Sequence, residues 1–86
     1  MGMEHTVAPE VAHGLVGELL IVDRDPWALE LFHQEQGALA SAGRATVGGG
    51  ESLRSRVLPL QFELVAGESR PQIRVVEDGS GRVWLV

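Results

Sequence analysis

An apolar run that ends abruptly at a proline constrains this chain more than any other feature. Leu19-Leu20-Ile21-Val22 passes directly into Asp23-Arg24-Asp25-Pro26. The run predicts a strand buried on both faces, as in the middle of a sheet. Asp25 then suits a helix N-cap, and Pro26 suits the first helical position, where its missing N–H costs nothing. Beyond it, Ala28, Leu31, Phe32, Leu39 and Ala42 recur at helical spacing, and Glu30 lies near the positive helix start. Gly43 is a natural C′ stop, while Gly37 weakens the middle by up to ~1 kcal/mol relative to alanine. The spacing predicts one amphipathic helix over about residues 26–42.

The second half of the chain changes period. Leu60, Phe62, Leu64 and Ala66 alternate with Gln61 and Glu63, a strand pattern. Ile73 to Glu77 and Arg82 to Val86 flank Asp78-Gly79-Ser80-Gly81, a strong hairpin signal. Arg44 to Val47 is a short strand candidate, Gly48-Gly49-Gly50 a flexible turn, and residues 67–71 a second turn. Residues 51–58 are ambiguous: Leu53 and Val57 lie four apart, as on a short helix that Pro59 would end. Residues 1–12 show no period and are expected to form a flexible arm, with 13–86 as one small domain. Together these elements predict a two-layer α+β fold. One main helix packs on a four- to five-stranded sheet with a C-terminal antiparallel meander. The alternative is an incomplete α/β unit with Leu19–Val22 as its central parallel strand.

Composition narrows the function classes. Eighty-six residues with 44% hydrophobic content make one globular domain, too apolar for a disordered tail. A chain of this length buries roughly 60–65% of its unfolded surface. Absence of cysteine removes disulfides, thiolate chemistry and cysteine zinc sites, and fits a reducing, cytoplasmic setting. Twelve acids against seven arginines, with no lysine, give a net charge of −5. That balance argues against nucleic acid and suits a protein partner with a basic surface. No run reaches the ~20 apolar residues of a membrane span, and the N-terminus lacks a secretory pattern. Met1-Gly2 with Thr6 matches the N-myristoylation pattern, which is read as coincidence because no basic cluster accompanies it.

No catalytic set assembles along the sequence. His5, His13 and His33 are not paired at metal-ligand spacing, so no metal site is expected, and His33 is placed on the solvent side of the helix. Ser69 sits in Gly67-Glu68-Ser69-Arg70-Pro71, where Pro71 replaces the second glycine of a nucleophile elbow. The glycines at 48–50 lack the Lys-Ser/Thr pair of a phosphate loop. Trp27 and Trp84 are candidate partner anchors as well as candidate core covers.

Two family resemblances rest on short motifs. "LLIVDRDPWALELF" resembles the first strand and helix of a response-regulator receiver domain, and "FELVAGESRP" resembles its third strand and phosphorylated loop. The resemblance runs over residues 19–71. It implies an acidic cluster of Asp23, Asp25 and Glu68, with the two aspartates near the Mg²⁺-holding pair and Glu68 at the acceptor position. Arg24 between the acids, Glu68 in place of aspartate and the missing lysine imply a degenerate, non-phosphorylated relative. Glu63-Leu64-Val65-Ala66-Gly67 is similar to the Gln-x-Val-x-Gly loop of cystatins, which implies a protease-inhibiting wedge built on Glu63, Val65 and Gly67. The expected function is a non-enzymatic, regulatory or signalling protein-interaction module without cofactor. A cystatin-like inhibitor is the alternative.

Overall fold

The computed structural model describes residues 9–15 and 17–86. Among them there is no helix. Eight strands follow in order: β1 Glu10–Leu15, β2 Glu18–Asp23, β3 Ala28–Glu35, β4 Ala38–Thr46, β5 Leu53–Arg54, β6 Leu60–Val65, β7 Gln72–Glu77 and β8 Val83–Leu85. They form two four-stranded sheets, β1-β2-β3-β4 and β5-β6-β7-β8, and every pairing is antiparallel. Each sheet is a meander of consecutive strands, so every connection within a sheet is a hairpin.

The expected helix over 26–42 is therefore a β-hairpin, and neither the α+β fold nor the α/β alternative forms. The reason is local. Gln36 and Gly37 have φ of 50° and 80°, and Glu35 pairs with Ala38. Positive φ at both central residues of a two-residue loop matches the right-handed twist of the flanking strands and folds the chain back on itself. Asp25 and Pro26 belong to the four-residue turn between β2 and β3, where Asp23 pairs with Ala28. They do not start a helix. Leu29, Leu31 and His33 then face inward together, as period two requires.

The apolar run of β2 alternates as well. Leu20 and Val22 are buried, while Leu19 and Ile21 are half-buried on the other face. Residues 10–12, expected in a loose arm, lie in β1, while residues 1–8, including the Met1-Gly2 pattern and His5, lie outside the described residues. The C-terminal meander is present, with its turn at Asp78–Ser80.

One core joins the sheets. Leu20, Val22, Leu29, Leu31 and Ala45 from the first meet Leu53, Phe62, Leu64 and Ile73 from the second. Between β4 and β5 the sandwich is sealed. A Cβ on Gly43 would lie 2.8 Å from Leu53 Cδ2, and Glu51 Oε1 accepts the Thr46 amide hydrogen at 2.9 Å. On the opposite flank β1 and β8 are both edge strands.

Candidate functional site

Pleat and register decide which side chains of the second sheet face inward. Phe62 pairs with Val75, and Val75 with Trp84, so the three share one face. Phe62 is buried beneath the first sheet, Val75 only borders the core, and Trp84 is 41% exposed. The inner face of the second sheet thus runs out from under its cover toward β8. What remains uncovered among the described residues is a groove of about 540 Å³ lined by Leu58, Pro59, Leu60, Val75, Trp84, Leu85 and Val86, with Glu77 the one charged residue of its lining. The outer face of β8 is apolar too: Val83 and Leu85 are exposed, Leu85 at 57%. Four consecutive apolar residues at an open edge, on both faces, with no proline, lysine or bulge, are what free edges ordinarily avoid. Trp84, one of the two expected anchors, is the centre of this site, and Arg82 stacks over its ring at 5.8 Å.

Trp27 takes the other role. It packs against the core rim between two guanidinium groups, Arg24 at 5.4 Å and Arg70 at 5.3 Å from the ring centroid. Both arginines pair with Glu10 of β1, which ties the β6–β7 loop to the β2–β3 turn.

The remaining expected residues lie at the end of β2 and in the turn after it, along β6, and in the loop after β6. Asp23 accepts from Arg44 at 2.9 Å, and Arg44 also reaches Glu30 at 3.1 Å. Asp25 is exposed in the β2–β3 turn and Glu68 in the β6–β7 loop, and neither makes an ion pair among the described residues. Of the 63–67 segment, Glu63 lies in β6 and accepts from its cross-strand neighbour Arg74 at 2.6 Å, and Val65 ends that strand. Ala66 and Gly67 stand in the loop, where a Cβ on Gly67 would come within 2.1 Å of the Arg70 carbonyl oxygen.

A cluster unforeseen in the sequence lies where the sheets meet. Glu18 is 1% exposed. Its Oε1 accepts from the Ser55 hydroxyl at 2.6 Å and from His13 Nε2 at 3.0 Å, and its Oε2 accepts from the Arg56 amide at 2.8 Å. Ser55 Oγ in turn accepts the amides of Val57 and Leu58, which shapes the turn before β6. Burial pushes the Glu18 carboxyl up, but Ser55, Arg56 and His13 together outweigh it and hold the group below its ordinary value. His33, expected at the surface, is 8% exposed, with Nε2 3.4 Å from Oε2 and without a hydrogen bond. Its inward position follows from the Leu29–Leu31–His33 alternation. Among the described residues no group of His, Asp or Glu side chains is disposed to hold a metal ion. Glu18 joins the sheets through its neighbours' N–H and O–H groups. The signal in the sequence is that Glu18 is the only acid within the apolar stretch from Leu15 to Val22.

These features define a class, an antiparallel two-sheet sandwich with one sealed flank and one open apolar edge. The chain matches no protein-family model, no curated protein and no solved structure. No helix among the described residues is long and apolar enough to cross a membrane.

Proposed function

We propose that this chain is a non-enzymatic, regulatory protein-interaction module of the cytoplasm that docks a protein partner at β8 and the apolar groove beside it. The observation that supports this reading is the uncovered inner face of the second sheet, with Trp84 at its centre. A large aromatic flanked by aliphatic side chains in a concavity is the composition of an interface hot spot. Apolar surface of this kind on a small domain marks a binding surface.

Capture experiments test it. The intact chain, immobilised, is presented with lysate of its source cells beside Trp84→Ala and Leu85→Lys variants. Leu85 is 57% exposed, so Leu85→Lys keeps the native unfolding midpoint, and Trp84→Ala is compared at a temperature where its own measured midpoint leaves it folded. A protein retained by the native chain and lost from both variants is the expected result. Equal retention by all three overturns the proposal.

A further inference from the structure

The backbone of the open edge and the arginine beside it together indicate what binds there. Ile73 and Val86 exchange both hydrogen bonds, at 3.1 and 2.9 Å, and the Glu77 amide donates to the Arg82 carbonyl at 2.8 Å. In an antiparallel ladder hydrogen-bonded pairs alternate with non-bonded ones. Residues 82, 84 and 86 therefore spend their backbone groups on β7. Val83 and Leu85 turn their N–H and C=O groups outward, where an added strand can take them.

The charge pattern is as specific. Arg24, Arg44, Arg54, Arg56, Arg70 and Arg74 all pair with carboxylates. Arg82 is the one arginine without an ion pair among the described residues, in a chain whose acids outnumber its bases twelve to seven. It shares the groove face with Trp84 and Val86. Glu77, its neighbour across the hairpin, takes the Ser80 hydroxyl instead.

Resting on the interaction-module reading, we propose that the occupant is an extended segment of another protein. It adds antiparallel to β8 as a fifth strand of the second sheet, sets apolar side chains opposite Val86 and Trp84, and sets a carboxylate opposite Arg82. In strand addition the main chain supplies affinity and the alternate side chains supply specificity. The added strand's bonded pairs fall at Val83 and Leu85, so its residues opposite 82, 84 and 86 face the groove. An acid there lies two strand spacings, about 10 Å, from Glu77 with Arg82 between them. At physiological ionic strength that is beyond one screening length of roughly 8 Å, so the contact with Arg82 dominates. The net charge of −5 favours basic partners over the surface as a whole, but at this edge the preference is reversed. A second copy of the chain fits less well. No side chain from Gly79 to Val86 is acidic, so this segment of a second copy offers no side-chain carboxylate to Arg82.

The test uses the full chain carrying Trp27→Phe, so that Trp84 is the only fluorophore of its kind. The probe is acetyl-Ser-Val-Thr-Val-Thr-Glu-Ser-amide, with Gln-for-Glu and Lys-for-Glu versions beside it. The expected result is a saturable change in Trp84 emission and slowed hydrogen exchange at the Val83 and Leu85 amides. The glutamate peptide should bind at least about tenfold more tightly than the lysine peptide, the scale of one interfacial charge pair. Arg82→Glu, checked by an unchanged unfolding midpoint, should invert that order. Equal binding of the two peptides, or an order unchanged in Arg82→Glu, overturns the acidic-strand assignment and leaves the docking edge standing. A dimer in sedimentation equilibrium that Leu85→Lys dissociates overturns it in favour of a second copy. Absence of peptide binding overturns strand addition. If the capture experiment also shows no dependence on Trp84 and Leu85, the module reading fails with it.

Discussion

A carboxylate taken out of water is unfavourable by several kcal/mol unless donors surround it. Glu18 has that surround, and its donors come from both halves of the sandwich: His13 from β1 of the first sheet, Ser55 and the Arg56 amide from the loop that joins β5 and β6 of the second. Replacing it with glutamine keeps the shape but turns an N–H₂ group toward donors. Glu18→Gln is expected to lower stability by about 1–3 kcal/mol at neutral pH, read from the urea midpoint. The direction of the pH dependence follows from the lowered carboxyl. A folded-state value below the ordinary 4.5 means that the contribution is complete above that value and is lost as pH falls through the folded one. Native stability should therefore decline with acid below about pH 4.5, and the decline should be shallower in Glu18→Gln. It should not vanish, because Asp78 is also held low, by the Gln61 amide above all, with Arg54 helping to outweigh the opposing effect of desolvation. A steeper acid limb in the variant would sink this account. Sequence inspection could flag Glu18 as the lone acid of an apolar stretch, but not its partners. Those come from β1 and from the loop between β5 and β6, where Ser55 and Arg56 are 37 and 38 positions away.

At the scale of elements, the legible parts were those whose turns announce themselves. Asp78-Gly79-Ser80-Gly81 marks the last hairpin by composition, and Leu60, Phe62 and Leu64 keep a clean alternation. The β3–β4 hairpin does neither. Its turn is Gln36-Gly37, without the asparagine or aspartate that usually identifies the type, and Gln36 adopts φ of 50° without being glycine. Both faces of β3 carry apolar groups, Phe32 outward and Leu29 and Leu31 inward, while His33 breaks the apolar alternation. Ala28, Leu31 and Phe32 consequently mimic a helical stripe, and Pro26 looks like its start. One substitution separates the two structures by sign. Gly37 has φ of 80°, so Gly37→Ala should cost about 1 kcal/mol or more, since a Cβ is disfavoured there. In a helix the same change would add stability of about 1 kcal/mol. A raised thermal midpoint for Gly37→Ala would contradict the hairpin.

At the scale of the whole molecule, the sandwich is lopsided. The β4–β5 crossing seals one flank, whereas on the other Trp84, on the inner face of the edge strand β8, stays 41% exposed. Which strands lie beneath the other sheet depends on non-local pairing, and no local pattern encodes that. The apolar content of residues 83–86 was visible in the sequence, but not that it lies at an edge. The lopsidedness divides the chain's apolar residues into two energetic groups. Leu20 and Leu31 lie within the shared core, and truncating either to alanine should cost about 2–5 kcal/mol. Val83 and Leu85 face solvent, so Val83→Lys and Leu85→Lys should each change stability by no more than about 0.5 kcal/mol. The same lysines charge a bare edge and should slow concentration-dependent aggregation, followed by light scattering. Hydrogen exchange should rank the strands likewise, slowest at Leu20 and Leu31 and fastest at the outward amides of Val83 and Leu85. If Leu85→Lys costs as much as Leu31→Ala, the outer face of β8 is part of the folded core and cannot serve as a docking edge.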